Sequence, residues 1–348
     1  MRNYKMDNMK GILIYLVVLG HMLEACLSYG NNRFLYMMIY CFHMPAFIFS
    51  SGYFAKFRPG RIIKNLAVPY VVFQTLYLLF EIYVLGEDMT IQFTKPFFVM
   101  WYLPAMMFWC MLLPMAATPS LKKRFFILLF TVALSLICGY DSGMGRLFTA
   151  SRAVVYLPFF LLGYYCGNGT RYIRERKETS WEKKWNRFAS FFVRIRYPLV
   201  SILMGLSLAG CYLYQEKINI NWVYEACSYE TGDYSMWFRG VHLLTGLIWT
   251  MGFLLFLPNK KLPMLSHIGS STLPVFLLHG FFVEWLKASK LFQSIPYKTF
   301  FCMIFSFVLV VLLSFLPHSL FRKDGKKKGG KGQKAQRNSD IQSCRIEA

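Results

Sequence analysis

Residues 7–54 read DNMKGILIYLVVLGHMLEACLSYGNNRFLYMMIYCFHMPAFIFSSGYF, and they contain two apolar runs, each long enough to cross a bilayer and each with a histidine near its middle. The first, His21, has Glu24 three residues on, on the same helical face; the second, His43, lies in the antiparallel run that follows. Imidazole and carboxylate are costly in a lipid-facing segment and are rare there unless something uses them. Two membrane helices in this stretch set the fold class, and the groups inside them open the functional question.

Composition extends the reading to the whole chain. Of 348 residues, 56% are apolar and 16% charged, with a positive mean hydropathy. A soluble chain of this length carries more charge and cannot hide 34 Phe and 22 Tyr. The expected fold is all-α: a polytopic membrane protein with about ten transmembrane helices and both termini cytoplasmic. The first run does not read as a cleavable signal, because His21 and Glu24 interrupt it and it leads directly into another span. Nine cysteines, mostly inside apolar runs, follow neither a disulfide framework nor a metal-ligand spacing, so they read as small apolar filler and no metal is expected. The net charge of +22 would suit nucleic acid, but the Lys and Arg sit in loops and a tail, so no nucleic-acid partner is expected.

The spans are read as Gly11–Tyr29, Phe34–Ala55, Ile62–Leu85, Phe97–Ala116, Phe125–Tyr140, Phe148–Gly167, Pro198–Tyr214, Arg239–Leu257, Thr272–Leu286 and Thr299–Pro317. Alternate loops then collect 30 of the 39 Lys and Arg on one side, among them Lys10, Lys56, Arg58, Arg61, Lys122–Arg124, Lys260 and Lys261. Basic residues are retained in the cytoplasm, which gives the orientation, and an odd number of spans would scramble the segregation. Residues 1–320 are expected to form one transmembrane domain. Residues 321–348, rich in Lys and Gly, are expected to be a disordered basic cytoplasmic tail. Residues 168–197 place Trp181, Trp185, Phe188, Phe191 and Phe192 among basic residues, the pattern of a cytoplasmic helix lying on anionic lipid. Residues 215–238, with Glu216, Glu225, Glu230 and Asp233, are the external segment long enough to help cover a ligand.

Candidate chemistry follows from polar groups in apolar places. Glu24 at i+3 can hold the His21 imidazole in one tautomer and raise its basicity. Lys10, eleven residues before His21, lies about 16 Å along the helix axis at its cytoplasmic mouth. In the next cytoplasmic loop, Arg58 and Arg61 flank a Pro-Gly turn and can offer two guanidinium forks to phosphate. His43 could reach the level of His21, beside Pro45, which opens or kinks its helix. Arg152 reads either as a snorkelling interface residue or as an anion holder. His279, with Glu284 beyond it, lies in the ninth span, and Trp101 and Tyr102 read as packing or belt.

The run D-x-x-K-G-I with V-V-L-G-H, followed by FHMPAFIFSSGYF, WYLPAMMFW, SRAVVYLPFFLLGYY and STLPVFLLHG, resembles the acyltransferase-3 family of integral membrane acyltransferases, most closely its fucose 4-O-acetylase-like branch. The resemblance covers nearly all of Asp7–Pro317. It implies ten membrane helices and transfer of acyl groups from cytoplasmic acyl-coenzyme A to outer acceptors. The family's Arg, ten residues, then His is met by His21 with Lys10 in place of the Arg, so the charge is kept and the fork lost. Its Arg-x-x-Arg is met by Arg58 and Arg61. No fused soluble catalytic domain is expected.

The first hypothesis is therefore an O-acetyltransferase of a bacterial cell (plasma or inner) membrane, modifying a surface or lipid-linked glycan, with the lipid bilayer as its other partner and self-association left open. Lys10, Arg58 and Arg61 would hold the phosphates of acetyl-CoA. His21, with Glu24 and His43, would be catalytic, either as general base or as an acetyl relay. Trp101, Arg152 and His279 would bind substrate or stabilise an oxyanion. The alternatives are a transporter of a small anion or amino acid, and an acyl-transfer partner module in which His21 is dispensable.

Overall fold

A computed structural model describes residues 2–143, 147–173, 180–289, 292 and 294–316, with backbone alone at 147, 168–173 and 180–194. Among them every regular element is helical: α1 Tyr4–Leu23, α2 Asn32–Phe54, α3 Pro59–Leu85, α4 Phe98–Ala116, α5 Leu121–Ile137, α6 Ala150–Val155, α7 Leu157–Ile173, α8 Ser180–Tyr214, α9 Met236–Phe256, α10 Pro263–Ser270, α11 Thr272–Ala288 and α12 Lys298–Ser314. Six helical stretches (Tyr4–Cys26, Asn32–Phe54, Pro59–Leu85, Phe98–Ala116, Ile195–Tyr214 and Met236–Phe256) are long and apolar enough to span a bilayer, and Leu157–Gly167 and Lys298–Ser314 are shorter apolar helices. The protein is an all-α polytopic membrane protein. Large apolar side chains lie bare along outer helix faces, as at Phe126, Leu129 and Phe130 on α5 or Phe300, Ile304 and Phe307 on α12. Stripes of that size are stable only against lipid or protein.

Contacts between chain segments reproduce the loop grouping read from charge. On the basic face, the Asn8 side chain donates to the carbonyls of Pro258 (3.2 Å) and Lys260 (3.0 Å), Asn3 donates to the Tyr53 hydroxyl (3.0 Å), and the Tyr165 hydroxyl donates to Ala116 (2.9 Å). At the opposite end, Arg33 donates to the carbonyls of Gln215 (2.7 Å) and Ile218 (3.0 Å), and Lys287 pairs with Glu24 (2.8 Å). Successive helices therefore cross between these two faces.

One expectation is corrected. The sixth span is not one helix: Phe148 and Thr149 adopt left-handed backbone (φ 47° and 60°), α6 follows, and the chain breaks again at Tyr156 before α7. Pro158 explains the second break, because it has no N–H to give to the preceding turn. The segment 168–197 is helical where it is described: α7 runs to Ile173, and α8 starts at Ser180 and continues into the seventh span. The side chains of Trp181, Trp185, Phe188, Phe191 and Phe192 lie outside the described residues, as does the tail 321–348.

The core is built on α1 and α2. Where lipid provides no hydrophobic drive between helices, small residues let backbones close up. The G-x-x-x-G of Gly163 and Gly167 on α7 does this against α2: a Cβ at either would lie 2.0 Å from a carbonyl oxygen, Phe49 and Tyr53 respectively. Gly269 on α10 likewise meets the Asp7 carbonyl of α1. Gly163→Leu is expected to force α7 off α2 at a cost of about 1–3 kcal/mol or more, read as a lower midpoint of thermal unfolding in detergent; an unchanged midpoint would refute the close-packing account.

Candidate active site

His21, on the last turn of α1, opens into a cavity of about 460 Å³ toward the face opposite the basic loops. The Tyr40 hydroxyl meets its Nδ1 at 3.2 Å. The imidazole is held between Phe98 (ring centres 4.5 Å apart) and His279, which stacks on it at 5.6 Å and 28°. His279 donates or accepts at Nδ1 with the Val275 carbonyl at 2.8 Å, and because that carbonyl can only accept, Nδ1 carries the hydrogen. Its Nε2 is buried without a hydrogen-bond partner. His43 is fixed in the same way by the Ile39 carbonyl (2.8 Å), lines the cavity, and packs edge-on to Tyr40.

Each wall has a local cause. Phe98 has left-handed backbone (φ 44°) at the entry to α4, a conformation that a bulky residue adopts only when its surroundings impose it. The constraint comes from Gln74, a fully buried amide within α3: its oxygen accepts from the Phe97 N–H (2.9 Å), and its nitrogen donates to the carbonyls of Gln92 (3.0 Å) and Lys95 (3.3 Å). Arg152, brought in by α6, lies 4.8 Å over the Trp101 ring and donates to the Tyr224 carbonyl at 2.8 Å. Trp101, Arg152, Glu24 and His43 all line this cavity with His21.

The expected Glu24–His21 hydrogen bond is absent from this arrangement. Both Glu24 oxygens are taken, Oε1 by the Tyr224 hydroxyl and Oε2 by Lys287 at 2.8 Å. A carboxylate gains more from an ammonium and a phenol than from a neutral ring. Glu24 is thus part of a chain in which Tyr36 donates to Tyr224 (2.6 Å), Tyr224 donates to Glu24, and Lys287 joins Glu24 to Glu284 (3.0 Å).

The external segment 215–238 does help cover the cavity, through Val223, Tyr224 and Ala226. Its anchor is Glu225, which is completely buried with left-handed backbone (φ 52°). Its carboxylate accepts from Arg239 (2.6 Å), pairs with His242 Nδ1 (2.8 Å) and accepts from Tyr234 (3.3 Å), while its carbonyl accepts from Ser151 (2.7 Å).

Lys10, Arg58 and Arg61 are brought together elsewhere, around a second cavity of about 400 Å³ on the basic face. Lys10 is paired with Asp7 (3.3 Å) and lies 5.0 Å over the Phe54 ring. The expected Pro-Gly turn is instead the first turn of α3, with Arg58 capping it and Pro59 at its first position, where a missing N–H costs nothing. Sequence reading missed Tyr40, Tyr224, Lys287, Phe98 and Gln74. A signal for Glu225 existed: Arg239 and His242 are spaced i, i+3 in an apolar helix and require an acid nearby.

An all-α membrane fold with polar groups buried between two opposed cavities defines a membrane-embedded catalyst or carrier, and sequence comparison separates these. The family profile described as an acyltransferase domain matches residues 3–318, and the chain belongs to the acyltransferase-3 family. Nodulation protein NolL of Sinorhizobium fredii is 41% identical over 68 residues, 18% of this chain and 18% of that protein. NolL of Mesorhizobium japonicum is 38% identical over 68 residues, 18% of this chain and 17% of that protein. The matched stretch thus spans under a fifth of these curated relatives. No solved structure matches the chain.

Glu225→Gln would leave Arg239 buried beside a neutral amide and is expected to cost about 3–5 kcal/mol, because an uncompensated buried charge remains. The check is thermal unfolding in detergent, where a wild-type midpoint would show that the ion pair is not the anchor.

Proposed function

We propose that this chain is an O-acetyltransferase of a bacterial cell membrane that moves an acetyl group from cytoplasmic acetyl-CoA to a hydroxyl of a cell-surface or lipid-linked glycan. The observation that carries the reading is the division of labour between two cavities on opposite faces: Lys10, Arg58 and Arg61 at one, and at the other histidines, aromatics and carboxylates, among which Lys287 is paired with Glu24 and Glu284 and Arg152 lies over Trp101. Membership in an acyltransferase family weighs against a transporter.

In this reading Arg58 and Arg61 hold donor phosphates as forked cations, at the start of α3 where the helix N-terminus also favours anions. Lys10, tied to Asp7, adds a point charge. The polar, aromatic cavity on the far side takes the sugar, with Trp101, Tyr40 and Tyr224 as stacking faces and Glu24 and Glu284 as hydroxyl partners. With Tyr40 on Nδ1, the chemistry of His21 falls to Nε2. For Nε2 to accept a proton, Nδ1 must carry the ring hydrogen and donate it to the Tyr40 oxygen. The base then takes the proton of the sugar hydroxyl, the oxygen bonds to the thioester carbonyl carbon, the C–S bond breaks, and the thiolate leaves and is protonated. In the relay variant Nε2 bonds to the acetyl carbon as the C–S bond breaks and the thiolate leaves; the sugar oxygen then bonds to that carbon as the N–C bond breaks, and the hydroxyl proton passes by way of the freed Nε2 to the thiolate. Arg152, which lines the same cavity as His21, is the cation that would oppose developing negative charge on the carbonyl oxygen, while His279, its ring hydrogen held by Val275, stacks on His21 and orients it.

His21→Ala is expected to lower transfer of labelled acetyl from acetyl-CoA to surface glycan in membranes by about 10²–10⁴-fold. Transfer at the wild-type rate would refute His21 as base or relay. Replacing Arg58 and Arg61 together by Ala should raise the donor KM while a saturating donor restores the rate, as loss of binding common to ground and transition state requires.

A further inference from the structure

The two cavities share no lining residue, and the wall between them is about one helical turn thick. On α2, His43 and Met44 face one cavity, and Phe47 and Ser51 the other. On α4 the division falls between neighbours, Trp101 above and Tyr102 below. The Tyr102 ring fills the space where α2, α4 and α11 meet, edge-on to Phe47 (5.9 Å) and Phe276 (5.5 Å). Its hydroxyl hangs toward the basic face and is bonded to the Ser51 hydroxyl at 2.5 Å, with the Met106 sulfur at 4.0 Å.

The Ser51 hydroxyl also donates to the Phe47 carbonyl of its own helix (3.0 Å), which leaves its oxygen to accept from Tyr102, and two hydroxyls chained in this way inside an otherwise apolar wall are an expensive choice for packing alone. Phenylalanine and alanine would fill the same volume without polar atoms to satisfy. The pair is also adaptable: each hydroxyl is both donor and acceptor, and the two can separate if a ligand supplies replacement partners. The geometry points to the Ser51–Tyr102 hydroxyl pair as the receiving site for the amide-bearing arm of a thioester donor, and, without that arm, as the latch that closes the wall between the cavities. This rests on the reading of the basic-face cavity as the donor site.

The consequence is a gate coupled to donor binding. The arm's amide groups take over the hydrogen bonds that Ser51 and Tyr102 make to each other, the Tyr102 ring swings from between Phe47 and Phe276, and the thioester reaches the level of Trp101 and His21. With no arm bound, the ring returns and keeps water of the far cavity from the donor side. Tyr102 is thus a positioning residue, acting on the path of the donor and not on the acyl carbon.

Four variants in native membranes test this. Tyr102→Phe and Ser51→Ala keep the packing and remove one hydroxyl each; each should raise the acetyl-CoA KM about 2–10-fold, the size of one net hydrogen bond, with kcat little changed. The double variant should cost less than the sum, since the partners act together. Tyr102→Ala removes the plug, so water should attack the thioester carbonyl and release acetate and free thiol without an acceptor, about tenfold faster than wild type. A donor-free readout comes from Cys110, which lines the basic-face cavity. A charged, membrane-impermeant methanethiosulfonate added at the outer face, followed by peptide-resolved mass spectrometry, should modify Cys110 in Tyr102→Ala and leave it intact in wild type. Cys110 protected equally in both, with wild-type KM in Tyr102→Phe, would overturn the inference. Cys110 labelling in Tyr102→Ala alone, in a protein that leaves acetyl-CoA untouched, would uphold the gate and overturn the choice of donor.

Discussion

Glu225 and Arg239 are both removed completely from solvent, in a chain whose surroundings are hydrocarbon or protein, and neither could stand there alone. Their pairing, extended by His242 and Tyr234, is the constraint on which the outer half of the site depends. Through the backbone on either side of Glu225 it fixes the carbonyls that receive Ser151 and Arg152, and so the short helix α6. It also fixes Tyr224, whose hydroxyl joins Tyr36 to Glu24. His242 carries the same cluster to the Tyr40 carbonyl at 3.3 Å, one residue of α2 whose side chain meets His21. A loop that would otherwise wander over the membrane surface is thereby made part of the cavity wall.

The site is strained where it is precise. Phe98, Thr149 and Glu225 all have left-handed backbone without being glycine, and each stands at the cavity or beside a residue that does. Such positions cost about 1–3 kcal/mol each and persist when the surroundings over-determine them. Here the determinants are identifiable: Gln74 for the segment before Phe98, the Phe148 N–H donating to Thr94 (2.7 Å) for Thr149, and the ion cluster for Glu225. They hold fixed the ring that covers His21, the helix that carries Arg152 and the roof that carries Tyr224.

Much of this was legible because a membrane makes polar residues conspicuous. His21, Glu24, His43, Trp101 and Arg152 stood out in apolar runs and converge on one cavity; Lys10, Arg58 and Arg61 stood out as a basic mouth and converge on the other. The pairing of Glu24 with Lys287 and Tyr224 was not legible, because an i, i+3 rule sees one helix and the competing cation comes from a helix 263 positions away in sequence. The broken sixth span was hidden for a related reason: Phe148 and Thr149 are ordinary residues, and their backbone is set by contacts with distant segments. Tyrosines were the largest omission. Tyr40 and Tyr224 are passed over and Tyr102 reads only as packing or belt, because the residue type is so common here that composition gives none of them weight, yet each puts its hydroxyl against a polar partner in an apolar wall.

The separation between the two cavities limits any chemistry that joins them. On the donor reading proposed above, a phosphate-bearing group held by the cations of the basic face cannot move into the interior, since burying its charges unpaired costs far more than any contact returns. Lys10 and His21 lie eleven residues apart on one helix, about 16 Å, so whatever links them must be uncharged, narrow and long. It must also cross a wall without breaking backbone hydrogen bonds, because no water is present to replace them. In that reading any opening falls to side chains, and in this wall the side chain both central and able to change hydrogen-bond partners is Tyr102. The start of α4 suits that role: Phe98–Trp101 is a tight 3₁₀ turn that aims Trp101 at one cavity and leaves Tyr102, the next residue, facing the other. One peptide unit of α4 separates the linings of the two cavities.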